Sequence, residues 1–156
     1  MAFRDIVEAT KHRLYRLALR MTGNAEDARD VLQDSYVRAH GALVGGRWKG
    51  ESTVDTWLYR IVVNTALNHR RGWLRRARPV EIDPVTSPSP ETSADAARLM
   101  REVFDLPSEQ RAVVVLKELE GHTSAEIGRL LECSEGAVEQ RLLRARATLR
   151  KRLGDE

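Results

Sequence analysis

The chain has 156 residues, of which 26 are basic and 23 acidic, for a formal net charge of +3 and an isoelectric point near 9.3. That length suits one or two small domains and excludes a large multidomain enzyme. The longest unbroken apolar run, Ala112 to Leu116, is far too short to span a bilayer, and no apolar signal core opens the chain. A single cysteine, Cys133, forms no internal disulfide, so the expectation is a cytoplasmic protein without membrane insertion.

Charge is unevenly distributed. The net is +1 over residues 1–44, +6 over 45–78, −5 over 79–110 and +1 over 111–156. Within the last block, residues 136–153 hold six basic side chains against Glu139 alone. Two concentrated cationic regions suit a polyanion better than a weak positive charge spread over the surface, although solvated helix faces give the same pattern.

Ile6, Leu14, Leu17, Ala18 and Met21 predict a first helix closed by Gly23. Asn24 is a suitable N-cap for a second, with Asp27 at its N3 position. That helix runs to about Val44, burying Ala28, Val31, Leu32, Tyr36 and Ala39, and Gly45-Gly46 ends it. A polar loop, Arg47 to Ser52, leads to a third helix. There Val54, Trp57, Leu58, Ile61, Val62 and Thr65 share one face, and Arg60, Asn64, Asn68 and Arg71 share the opposite one. Four prolines between Pro79 and Pro90 rule out a regular helix, and composition makes 79–93 an acidic tether. Helical spacing resumes at Ala94 with Leu99, Val103 and Leu106, then from Ser108 through Val113, Leu116 and Leu119 to Gly121. Thr123-Ser124-Ala125-Glu126 has capping-box form and opens a short helix with Ile127, Leu130 and Leu131 inward. Cys133-Ser134 connects it to a last, basic helix with Val138, Leu142, Ala145 and Leu149 buried, which makes a helix-turn-helix. The reading is all-α: two small helical domains, 1–78 and 94–156, joined by 79–93.

Three constellations carry chemistry. Arg141, Arg144 and Arg146 on the last helix can grip phosphate or span guanine O6 and N7. Asn64 and Asn68, beside Arg60 and Arg71, can read base edges, and Trp48 can stack an unpaired base or fill the core. Glu26, Asp30 and Asp34, widened by Asp27, form an acidic stripe that would repel DNA and suits a basic protein partner or plain solvation. His12, His40, His69 and His122 are scattered over separate elements and none joins the stripe at ligand spacing, so no metal, cofactor or catalytic site is expected.

Several motifs in order then resemble one family. Residues Asp27-Ala28-Arg29-Asp30-Val31-Leu32-Gln33-Asp34-Ser35-Tyr36 resemble the polymerase-binding helix of sigma-70-family factors. Thr56-Trp57-Leu58-Tyr59-Arg60-Ile61-Val62-Val63-Asn64-Thr65-Ala66 looks like the adjoining −10 recognition and melting helix. Leu106-Pro107-Ser108-Glu109-Gln110-Arg111, with Gly136-Ala137-Val138 and Arg141 to Arg146, is similar to the −35-binding domain. The order, with only a proline-rich linker between the pieces, is that of the extracytoplasmic-function (ECF) group. The resemblance implies that Glu26, Asp27, Asp30, Gln33 and Asp34 meet the β′ clamp helices of core RNA polymerase. It implies that the loop of Trp48, Lys49, Gly50, Glu51, Ser52 and Thr53, with Arg60, Asn64, Asn68 and Arg71, captures a flipped −10 base. It also implies that Glu139, Gln140, Arg141, Arg144 and Arg146 face the −35 duplex. Further implied partners are promoter DNA, the polymerase β flap and an anti-sigma factor. Glu139 departs from the basic or small polar residue usual at its position, and Trp48 from the usual phenylalanine. The alternative is a stand-alone dimeric helix-turn-helix regulator, which would leave the acidic stripe and the Trp48 loop without a role.

Overall fold

The computed structural model describes residues 2–48, 50, 52–69 and 94–154. The chain divides into two compact units, Met1–Arg78 and Pro79–Glu156. The expected tether, residues 79–93, and the cationic run Arg70 to Arg78 lie outside the described residues, as do Lys49 and Glu51. Every element among the described residues is helical, as the spacing predicts. None of these helices is long and apolar enough to cross a membrane.

The first unit packs α1 (Phe3–Thr22), α2 (Ala25–Val44) and α3 (Val54–Leu67) against one another. Gly23 ends α1 in the left-handed region at φ 86, where a β-carbon would be strained, and its N–H reaches the Leu19 carbonyl. One residue later Asn24 caps α2, its side chain accepting from the Asp27 N–H at 2.8 Å. Leu14, Leu17, Ala18, Ala28, Val31, Ala39, Leu58, Val62 and Val63 form the core. Ala28, Val31, Ser35 and Ala39 set the phase of α2, and Ser35 is satisfied by donating to the Val31 carbonyl at 2.7 Å. Leu32 and Tyr36, expected inside, are only half-buried and border a surface groove.

The second unit begins with α4 (Ala94–Phe104), which packs on α5 (Ser108–Val114) and α7 (Glu135–Arg152). Val103, Phe104 and Leu106 are buried, but Leu99, expected on the same stripe, is 41% exposed. The buried part of α4 is its C-terminal turn, which leaves Leu99 one turn outside the contact. Arg111 is buried, and its guanidinium donates to the Phe104 carbonyl at 2.9 Å, tying the α4–α5 turn.

The continuous helix expected from Ser108 to Leu119 changes character at Val115. Residues Val115–Leu119 form a π-helical segment, in which the Glu120 N–H reaches back to the Val115 carbonyl. Ala112 to Leu116 are all buried, so this apolar run is enclosed on every side rather than lying on one face. The wider turn adds one residue per repeat and re-aims Lys117 and Glu118.

The helix-turn-helix is α6 (Ser124–Leu131) followed by α7. Its capping box is complete: Thr123 accepts from the Glu126 N–H at 3.1 Å and Glu126 accepts from the Thr123 N–H at 3.0 Å. Ser134 caps α7 by accepting from the Ala137 N–H at 3.0 Å. The turn is tight because Gly128 lets Cys133 come close; a β-carbon there would lie 2.7 Å from the Cys133 carbonyl oxygen.

Two measurements check this account. Gly128→Ala should lower the unfolding free energy of the second unit by about 1–3 kcal/mol in urea titrations, because backbone must shift; Gly136→Ala, with its nearest neighbour 3.9 Å away, should be tolerated. The backbone hydrogen bond to Thr123 holds the Glu126 carboxyl below its ordinary value of 4.5. Its contribution is therefore complete above that value and is lost as pH falls through the lowered one. Glu126→Gln should flatten the acid limb of stability against pH.

Candidate nucleic-acid and partner interfaces

The acidic stripe of α2 divides in two. Glu26, Asp30 and Asp34 are exposed at four-residue spacing, and Gln33 beside them is exposed too. Asp34 pairs with Arg38 at 3.3 Å, a solvent-facing i, i+4 contact. Asp27 turns the other way and is only 3% exposed. Its carboxylate accepts from the Asn24 amide at 2.6 Å and lies 3.4 Å from His69 Nε2, just beyond the end of α3. The expectation that Asp27 widens the outward stripe is thus corrected: helix phase and the cap draw it inside.

His69 corrects a second expectation. Far from the stripe in sequence, it is brought to Asp27 and Asp30, and ligand-type atoms of all three lie within 4.8 Å of one another. Asp27 is already committed to Asn24 and His69, so these three side chains form a polar clasp between the start of α2 and the end of α3, with exposed Asp30 at its edge.

Along the opposite border of the stripe, α1 and α2 leave an open groove of 620 Å³ lined by Phe3, Val7, Leu32, Tyr36 and Val37, with Gln33 at its edge. The Tyr36 hydroxyl shares a hydrogen bond of 2.7 Å with Thr10. Burial pushes that hydroxyl up from its ordinary pKa, with the Thr10 bond pulling against it.

Beyond the C-terminus of α2, Trp48 is half-buried and stacked on Trp57, with centroids 5.5 Å apart and 28° between planes. One face of the indole is therefore occupied, and its N–H has no hydrogen-bond partner among the described residues. Thr53 is committed to capping α3, accepting from the Thr56 N–H at 3.2 Å. Arg60 and Asn68 are exposed and Asn64 is half-buried, all on the expected face; Asn68 ends the helix, its N–H reaching Asn64. Ser52 and Gly50 are exposed, with Gly50 at φ 73. Arg71 lies outside the described residues.

On α7 the charged candidates separate by environment. Glu139 is pulled toward α6, its carboxylate accepting from the Ser124 hydroxyl, which in turn lies 3.4 Å from Lys117 Nζ. One oxygen of this exposed carboxylate is thus committed to Ser124. Arg141 is half-buried, with one guanidinium nitrogen 3.6 Å from Cys133 Sγ and another 3.9 Å from Glu109. Arg146 is exposed and pairs with Glu118 of the π-helical segment at 3.3 Å. Arg144 and Gln140 are exposed on the face opposite the buried stripe of Val138, Leu142 and Ala145. The sequence pattern missed Ser124, Lys117 and Glu118 because their partners lie on other elements.

Residues 6–77 match the family described as sigma-70 region 2, and residues 96–149 match sigma-70 region 4. The chain is 36% identical over 155 residues to the ECF RNA polymerase sigma factor SigM of Mycobacterium tuberculosis, covering 98% of this chain and 78% of that protein. It belongs to the ECF group of the sigma-70 family. The sigma-H factor of Pseudomonas aeruginosa is 33% identical, with 97% of this chain and 86% of that one covered. Among solved structures, CnrH in complex with the cytosolic domain of CnrY matches at a TM-score of 0.65 and 29% identity over 97% of this chain and 86% of that one. The sigma factor RpoE, in complex with the anti-sigma factor NepR from Bartonella quintana, shares the fold at a TM-score of 0.67 and 19% identity over 96% of this chain and 94% of its own. As a member of this family, the ECF factor joins RNA polymerase and directs initiation at promoter DNA.

The division of the acidic stripe is open to a direct check. Asp27→Ala should cost about 1–3 kcal/mol of unfolding free energy, the worth of hydrogen bonds to a charged group. Asp30→Ala should change it by less than about 0.5 kcal/mol. Urea denaturation of both variants distinguishes the clasp from the outward face.

Proposed function

We propose that this ECF factor docks on the β′ clamp helices of core RNA polymerase through Glu26, Asp30, Gln33 and Asp34, while its two units engage two promoter elements. The observation that carries the reading is the outward acidic face of α2, left exposed by a helix whose phase turns Asp27 inward. A basic partner helix meets it with complementary charge, and DNA is repelled from it. Asp27 supports that face from beneath rather than touching the partner.

In the first unit, Arg60, Asn64 and Asn68 with the Trp48 loop form the −10 surface. Flipping a base costs a few kcal/mol of stacking and pairing. The amides of Asn64 and Asn68 offer compensating hydrogen bonds to its exposed edge. Trp48 brings one free ring face at most, so the Trp48–Trp57 stack acts as the floor of the site. Lys49, Glu51 and Arg71, which lie outside the described residues, are assigned to the same −10 role by the family resemblance. In the second unit, α7 enters the major groove near −35, with Gln140 toward the bases and Arg141, Arg144 and Arg146 toward phosphates. Glu139 positions α6 against α7.

No bond is made or broken by the factor, and it works in the cytoplasm on the polymerase. Residues 1–78 and 94–156 act as separate modules joined by 79–93. The β flap is the proposed partner of the second unit, and an anti-sigma factor covering these surfaces would hold the free chain inactive. The relatives in family and order of regions favour this over a stand-alone dimeric regulator.

Run-off transcription with core polymerase tests the reading: the chain should give promoter-dependent product that core alone does not. Asp30→Arg combined with Asp34→Arg should weaken polymerase binding by at least about tenfold, since like charges would face each other, with the fold retained by circular dichroism. Unchanged binding would remove α2 from the interface. Arg144→Ala should weaken −35 duplex binding and lower its salt slope by about one, the loss of one phosphate contact.

A further inference from the structure

One side chain of α7 is accounted for by neither packing nor charge. Leu143 is 65% exposed, in a helix whose buried stripe of Val138, Leu142 and Ala145 is complete without it. An isolated exposed leucine is ordinary on a protein surface. Its surroundings here are not. Gly136, Gln140, Leu143 and Ala147 follow one another at intervals of four, three and four residues, and all are exposed. They form an uncharged ridge along the face turned away from the core. Exposed cations flank that ridge, Arg144 and Lys151 on one side and Arg146 and Arg150 on the other. The nearest carboxylates, Glu135 and Glu139, lie on the Arg146 side, and that of Glu139 is taken by Ser124.

A helix in the major groove presents its ridge to base edges and its flanks to the phosphates of the two strands. An uncharged ridge between cationic flanks has that distribution of chemistry. Gly136 and Ala147 add almost no bulk at its ends, so Gln140 and Leu143 are the side chains that project. A glutamine amide has a hydrogen-bonding partner among the base edges. An aliphatic side chain has a single specific partner there, the C5-methyl of thymine. Against guanine O6 and N7, or the cytosine amino group, Leu143 would strip water from polar atoms and return no hydrogen bond.

We propose that Leu143 is a specificity-determining residue of the −35 interface and selects thymine by packing on its C5-methyl in the major groove. The proposal rests on the reading of α7 as the −35 recognition helix. It concerns a contact of dispersion and burial, so it adds base preference without adding to the salt dependence that the arginines supply.

The test separates the methyl group from the rest of the base. Full-length chain with core polymerase is first used to select duplexes randomised across the −35 region. In the selected sequence each thymine is then replaced singly by deoxyuridine, which keeps every hydrogen-bonding edge and lacks only the methyl. At one position binding should weaken about three- to fivefold, the worth of one buried methyl-sized group. Leu143→Ser should bind the thymine and deoxyuridine duplexes equally, whereas Arg144→Ala should weaken both and preserve their ratio. A selected duplex that is indifferent to methyl loss at every thymine overturns the proposal, as does an undiminished ratio in Leu143→Ser. Selection of no preferred −35 sequence at all would instead bring down the reading of α7 on which it rests. Loss of polymerase binding by Leu143→Ser in the absence of DNA would assign the leucine to a protein contact and refute the thymine contact.

Discussion

Asp27 holds the start of α2 against the end of α3. It accepts from the Asn24 amide, its own N–H is taken by the Asn24 side chain, and its second oxygen faces His69. A carboxylate that is 3% exposed is costly unless its lone pairs are filled, and here the helix cap and an imidazole fill them. The helix N-terminus adds favourable potential at the same place. With Asp27 inside and the Ala28–Val31–Ser35–Ala39 stripe on the core, rotation of α2 about its axis is fixed. Glu26, Asp30 and Asp34 then have nowhere to go but outward. The outward acidic face of α2 is thus a by-product of how the opposite face is buried.

In the second unit the same logic acts through the π-helical segment. Its extra residue per turn lets a five-residue apolar run remain buried while Lys117 and Glu118 swing toward α6 and α7. Lys117, Ser124 and Glu139 join three elements in one short chain of hydrogen bonds, which pins the angle between the two helices of the motif. The arginines of α7 are held to different degrees. Arg146 shares an exposed ion pair with Glu118, worth little in water and readily exchanged for a phosphate. Arg141, half-buried against Cys133 and Glu109, gives up more to leave its place. Arg144 and Lys151 are exposed, with no carboxylate contact among the described residues.

These restraints bear on affinity. Each phosphate contact adds salt-dependent affinity that carries no sequence information, whereas contacts to base edges discriminate sequence. With the roles proposed above for α7, separating the two on one helix would let binding strength and promoter choice vary independently. In the first unit the groups proposed for the −10 site are of a different kind, an aromatic pair of Trp48 on Trp57 and the amides of Asn64 and Asn68.

The sequence by itself determined the helices, their caps and the family. Asn24, Thr123 and Ser134 cap as their positions predict, and α2 spans the expected residues, because helix periodicity and capping are local properties of neighbouring side chains. The ordered motifs of two sigma regions were equally legible. What spacing along one helix does not contain is the identity of a neighbour on another. Only tertiary structure turned Asp27 inward, brought His69 to it from beyond α3, stacked Trp48 on Trp57 and drew Glu139 to Ser124. Leu99 and the π-helical turn at Val115 belong to the same class. In each case burial and hydrogen bonding between distant segments decide the outcome, and their energies exceed the weak local preferences that a linear pattern records.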